Sequence, residues 1–203
     1  PYTDGIGVLS APLRIGNKTV PNRLACQAME GCDGTASGEP GELTVRRYDR
    51  FAAGGAGLIW FEATAVLPEA RANPHQLWIH RDNLDAFRRE ADRTRELGMR
   101  TNGYAPLLIL QATHSGRYSK PNGFPDPIIA YHNPIFEKDA PIGDGRIISD
   151  EALDRVRDAL VEAAELAELA GFDGADIKCC HRYLNHRLAD PTLAFVSAYP
   201  HLR

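Results

Sequence analysis

Short, unbroken apolar runs alternate along this chain with stretches of helical periodicity. Leu24–Gln27 predicts a first strand, entered through Val20-Pro21-Asn22-Arg23. Val45, Tyr48, Phe51 and Ala52 recur at helical spacing and predict a helix over about Leu43–Ala53, stopped by Gly54-Gly55. Gly57-Leu58-Ile59-Trp60-Phe61 has no polar break and predicts a strand buried on both faces. A second helix is expected over about Leu84–Leu97. Asp82 or Asn83 would cap it, Leu84 and Phe87 would face inward, and Gly98 would end it. Leu107-Leu108-Ile109-Leu110 predicts the next strand. The helix after it spans about Glu151–Ala170, with cap oxygens from Ser149 and Asp150 and a stripe of Leu153, Val156, Leu160, Ala164 and Ala167. Gly171 closes that helix, and Gly174-Ala175-Asp176-Ile177-Lys178 predicts a fourth strand.

Strand–helix–strand repetition with buried strands implies parallel pairing and right-handed crossovers. Two α/β architectures satisfy it, an open doubly wound sheet and a closed (β/α)8 TIM-type barrel. A dinucleotide-binding open sheet would carry G-x-G-x-x-G after its first strand, and Gly31, Gly34 and Gly38 do not have that spacing. Polar residues follow the predicted strands at Glu62, Gln111 and Lys178, which suits a barrel with its active site on that rim. The proline-rich stretch Ala112–Ile148 lacks periodicity and is expected to be an ordered rim loop.

Composition narrows the class. The chain has 203 residues, 43% hydrophobic and 25% charged, which places it among globular proteins. Its formal net charge of −4 argues against a nucleic-acid partner. The apolar runs are too short to cross a bilayer, and no charged leader precedes an apolar stretch, so no membrane or secretory role is expected. Cys26, Cys32, Cys179 and Cys180 contain no C-x-x-C pair. They suggest free thiols in a reducing, cytoplasmic setting, with Cys179 and Cys180 as small buried residues. His75 and His80 have no carboxylate at metal spacing, so no metal site is expected.

At the predicted strand ends the chain resembles the old yellow enzyme family, the NADH:flavin oxidoreductase group of FMN-dependent ene-reductases. The likeness is carried by Leu13-Arg14-Ile15-Gly16-Asn17 with Val20-Pro21-Asn22-Arg23-Leu24, and by Gly55-Ala56-Gly57-Leu58-Ile59 leading to Glu62-Ala63-Thr64-Ala65-Val66. Gln111-Ala112-Thr113-His114-Ser115-Gly116-Arg117 and Ile148-Ser149-Asp150 follow in order. The last segment is Ala170-Gly171-Phe172-Asp173-Gly174-Ala175-Asp176-Ile177, ending in His181-Arg182-Tyr183-Leu184.

The resemblance implies a barrel holding FMN at the carboxyl ends of its strands, with NADH or NADPH as reductant. It assigns Ala28, Met29, Glu30, Ala63 and Gln111 to the flavin. It makes Lys178 and His181 the holders of the substrate's carbonyl oxygen and Tyr183 the proton donor. Hydride delivery to the β-carbon of an activated C=C bond puts negative charge on that oxygen, so donors aimed at it lower the barrier. A phenol with a pKa near ~10 stays protonated at neutral pH and can then protonate the α-carbon.

The sequence departs from the family pattern in three places. Lys178 replaces the first residue of a substrate pair that is usually His with Asn or two His, and Glu30 stands where threonine or cysteine is common. The segment after Leu184 does not continue the family order. Residues 1–188 therefore read as the N-terminal half of an FMN-binding barrel. Residues 189–203 resemble a later strand, so the barrel is expected to be incomplete. Two rival readings stay open, a non-catalytic barrel fragment covered by a partner or a homo-oligomer, and a barrel enzyme using Lys178 as a Schiff base.

Overall fold

The computed structural model describes residues 5–188. Helix α1 (Gly7–Ser10) leads into an antiparallel hairpin of β1 (Leu13–Ile15) and β2 (Lys18–Val20). The body then runs β3 (Ala25–Cys26), α2 (Glu42–Ala53), β4 (Leu58–Ala65), α3 (Leu84–Asn102), β5 (Leu107–Thr113), α4 (Asp150–Leu169), β6 (Gly174–Ile177) and α5 (Leu184–Leu188). Strands β3-β4-β5-β6 form one sheet in chain order, every pair parallel. This is the predicted strand–helix alternation, in four parallel strands. The late strand expected near the C-terminus lies outside the described residues.

The hairpin was not read from the chain, because three-residue strands have too few positions to show an alternation.

Alternation along the strands separates two faces. Ile59, Phe61, Leu108, Leu110 and Ala112 point outward into a core with Tyr48 and Ala52 of α2, Phe87 and Ala91 of α3, and Leu166 and Ala167 of α4. Tyr48 stacks on Phe61 with centroids 3.9 Å apart, and Phe172 meets the other side of Phe61 edge-on at 4.7 Å. The α4 stripe is shifted from the expected one: Val156 and Ala167 are buried as predicted, but Ala163 and Leu166 share that role. Ser149 caps α4 as predicted, its hydroxyl accepting from Ala152 N–H at 3.3 Å.

Three element ends differ from expectation, the first of them for a steric reason. Helix α3 runs through Gly98 and ends at Gly103, whose φ of +79° is left-handed. Gly98 serves packing instead, since a Cβ there would sit 2.7 Å from Pro106 Cδ and 3.2 Å from Tyr104 O. Strands β4 and β5 also run past their apolar cores, so Glu62 and Gln111 lie inside the strands, not beyond them. Their neighbours still supply ladder partners, and polar character alone does not end a strand.

Glu90 on α3 is a buried carboxylate facing α2, with Oε1 unpartnered among the described residues. Burial, reinforced by the Asp49 charge, pushes its pKa up to about 7. A folded-state pKa above the unfolded one means stability is fully present below about pH 4.5 and is lost as pH rises through about 7. Glu90→Gln is expected to remove that slope. Thermal melts should show the variant flatter between pH 5 and 8 than the parent, and up to about 3 kcal/mol more stable at the alkaline end. Parallel pH profiles for the two proteins would contradict it.

Candidate active site

The loop after β3 carries the first group of site residues, and its shape is set by a charge network. Arg47 of α2 forks between two carboxylates, pairing with Glu62 and meeting Asp33 Oδ2 at 2.5 Å and Asp33 Oδ1 at 3.1 Å. Glu62 is the extra residue where the β4–β5 register slips between Phe61 and Ala63. Its carboxylate accepts from Gly31 N–H at 2.8 Å, and its own N–H donates to the Tyr48 hydroxyl at 2.7 Å. Burial works to raise Asp33, but hydrogen bonds from Arg47 and Thr44 override it and hold the carboxyl below its usual range. A side chain at Gly31 would collide with the Arg47 guanidinium, its Cβ falling 2.1 Å from Nη1. Glu62, expected just past the apolar run of its strand, is thus taken up by Arg47. Arg47 was missed; it is a cation one position before Tyr48 on α2.

Just before Gly31's anchor, Ala28 and Glu30 are half-buried and Met29 is exposed. Cys32 has a φ of +52°, receives a hydrogen bond from Asn73 Nδ2 at 2.8 Å on its sulfur, and sits 3.9 Å from Glu30 Oε1. Burial raises the Glu30 carboxyl, Lys178 draws it back down, and Glu62 adds to the rise.

Ala63 stands opposite Gln111 in the β4–β5 register, and Gln111 stands opposite Asp176 on β6. Gln111 Nε2 donates to Asp176 Oδ2 at 2.8 Å. Lys178, two residues beyond Asp176, is anchored by its N–H to Ala112 O at 2.9 Å and is buried. Its ammonium lies 4.5 Å from the centre of the Tyr183 ring. The chain reaches that contact through a sharp reversal in which His181 and Arg182 have φ of +57° and +62°. Two successive non-glycine residues in this region cost about 1–2 kcal/mol each, a strain held by the groups on either side. Burial and the Glu30 charge push Tyr183 up to about 12, so it stays protonated at neutral pH. The His181 ring lies 6.4 Å from Tyr183 in an edge-on arrangement.

Glu30, Lys178 and Tyr183 therefore meet at the carboxyl ends of the strands, with Gln111 and Ala63 on the neighbouring rungs. His181 is exposed at the edge of this group. Cys179 and Cys180 are exposed, not buried as expected, because they lie on the turn beyond β6.

The loop over residues 114–149 is ordered by its own contacts. Ile129 and Ile147 form a bridge, and Arg117 pairs with Glu137 at 3.1 Å. Phe136 lies beneath the guanidinium groups of Arg117, Arg182 and Arg187, at 5.4, 4.5 and 5.5 Å. That clasp ties the loop to the Tyr183 reversal.

Known proteins share this arrangement of elements. The chain is 28% identical to the NADPH dehydrogenase of Bacillus subtilis over 189 residues, 90% of this chain and 51% of the relative. It is 27% identical to the N,N-dimethylglycine/sarcosine dehydrogenase of Chromohalobacter salexigens, covering 26% of that protein. It thus spans at most about half the length of these curated relatives. Among solved structures, an old yellow enzyme homologue from Zymomonas mobilis superposes with a TM-score of 0.70 at 25% identity, over 87% of this chain and 49% of that one. Morphinone reductase superposes at 0.70 and 23%, over 87% and 49%. A 2-naphthoyl-CoA reductase complex does so at 0.73 and 20%, over 88% and 28%. The described sheet is accordingly part of a TIM-type barrel wall. The family model for NADH:flavin oxidoreductases and NADH oxidases matches residues 8–194, and the chain belongs to that family.

Proposed function

We propose that this protein is an NAD(P)H-linked, FMN-dependent oxidoreductase acting on an activated C=C bond, and that the chain supplies one side of its mouth. The observation that carries the reading is the Lys178 ammonium 4.5 Å from the Tyr183 ring centre, beside Glu30 and a rung beyond Gln111–Asp176. A cation and a protonated phenol side by side suit an acceptor whose oxygen gains charge while a neighbouring carbon takes a proton.

The residues present fit the ring end of FMN. The Gln111 carboxamide oxygen accepts from no described residue, and Trp60 Nε1 and Thr113 Oγ1 are buried without partners. Gln111, Ala63 and the Ala28–Glu30 backbone would hold the ring, and FMN bound there supplies hydride transfer from NAD(P)H to the acceptor. Lys178, with His181 beside it, would orient the acceptor's oxygen, and Tyr183 would hold the proton on its hydroxyl for the α-carbon. Glu30 next to Lys178 lowers the net charge of the mouth, which suits a neutral carbonyl compound.

In the family the phosphate-binding rim belongs to the last two barrel strands, which are not among the described elements. Ring contacts should therefore dominate binding to this chain. Titrating the protein into FMN and into riboflavin, read by flavin fluorescence, is expected to give saturable curves with dissociation constants within about tenfold of each other. Absence of saturation with both flavins would overturn the reading.

The rival fragment reading draws on the exposure of Ala175 and Ile177 on β6, which has no partner on its far side among the described strands. Sedimentation of the same sample separates it, since that reading requires association without flavin binding.

A further inference from the structure

We infer that the cavity between the start of α4 and the β4–α3 loop is a second binding site, which takes a small monocarboxylate with a branched apolar tail. The cavity has a volume of about 320 Å³, at the small end of ligand pockets. Its lining includes Ala152, Arg155 and Val156 of α4, and none of Glu30, Gln111, Lys178 or Tyr183 of the mouth.

His114 lines this cavity, is 1% exposed, and has an Nε2 that meets no partner among the described residues. Its Nδ1 accepts from Gly116 N–H at 3.1 Å, which leaves the ring hydrogen of the neutral form on Nε2. Burial pulls the pKa down to about 4, so this neutral donor form is the one present at physiological pH. A buried N–H without an acceptor is uncommon in folded proteins and calls for one from outside the chain.

The rest of the lining fits an oxyanion carrying a short hydrocarbon. Arg155 and Arg146 bring two guanidinium groups, of which Arg146 also pairs with Asp126. Arg155 stands one helical turn from Glu151, whose carboxyl it helps to hold low. Ser149 places the positive end of α4, a 20-residue helix, at the cavity wall. Glu69 is the carboxylate in the lining, and it disfavours a dianion such as phosphate. Ile128, Ile147 and Val156 supply the apolar wall.

The probe is isovalerate, followed by the His114 Nε2 resonance in long-range proton–nitrogen NMR of the intact chain. A saturable shift is expected. Isovaleramide, which has the same shape without the charge, should bind at least about tenfold more weakly, as should isovalerate to Arg155→Gln, a change at an exposed helical position. Inorganic phosphate should not compete. Lys178→Gln should leave the titration unchanged, which keeps the result independent of the flavin mouth. Equal binding of isovaleramide, retention of full affinity in Arg155→Gln, competition by phosphate, or loss of the shift in Lys178→Gln would each overturn the assignment.

Discussion

Arg47→Met is expected to destabilise the fold by about 3 kcal/mol, because it leaves a carboxylate buried without its cation. The Glu62 side chain is 1% exposed and that of Arg47 21%, so solvent cannot replace the lost partner at Glu62. The remaining contacts, Gly31 N–H and the Tyr48 hydroxyl, are single hydrogen bonds that do not neutralise the charge. Adding Glu62→Gln to Arg47→Met should recover part of the loss, since a neutral amide is cheaper to bury. Urea unfolding with an unchanged m value reads both effects as shifts in midpoint. The variant should also loosen the Ala28–Glu30 segment, because Gly31 is held by the carboxylate that Arg47 neutralises. An unshifted midpoint in Arg47→Met would show that the network does not carry this load.

Tyr183→Phe is expected to lower the rate on a conjugated enone by about 10²-fold or more, the range for loss of a positioned proton donor. The hydroxyl suits that role because its pKa of about 12 keeps the proton available throughout the neutral range. A quinone acceptor takes its protons on oxygen from solvent, so its reduction should change little. That contrast separates proton donation from damage to the site. The phenylalanine ring keeps the face over which Lys178 sits, so the local packing survives the change. Equal losses with both acceptors, or no loss with the enone, would remove Tyr183 from the role.

The chain's own pattern determined a good deal. Alternation of apolar runs with helical stripes specified parallel strands, since a strand buried on both faces and followed by a helix can return only through a crossover. Ser149 declared the start of α4, because an N-cap depends on one side chain and the three residues after it. The segments around Gln111 and Tyr183 marked which strand ends mattered, because each is a local string of residues that can be read without knowing its neighbours.

Tertiary structure decided what depended on distant contacts. Gly98 looked like a helix stop until Pro106 and Tyr104 were seen to need the space. Glu62 read as a polar residue following its strand, whereas it sits at a register slip inside β4 and pairs with Arg47, fifteen residues away in the chain. The bond between Gln111 and Asp176 joins residues 65 positions apart. The vacant hydrogen of His114 exists only because the fold buries one ring nitrogen against Gly116 and the other against a cavity. Propensity and periodicity act over a few residues, whereas the partner of a buried charge or donor is chosen by packing.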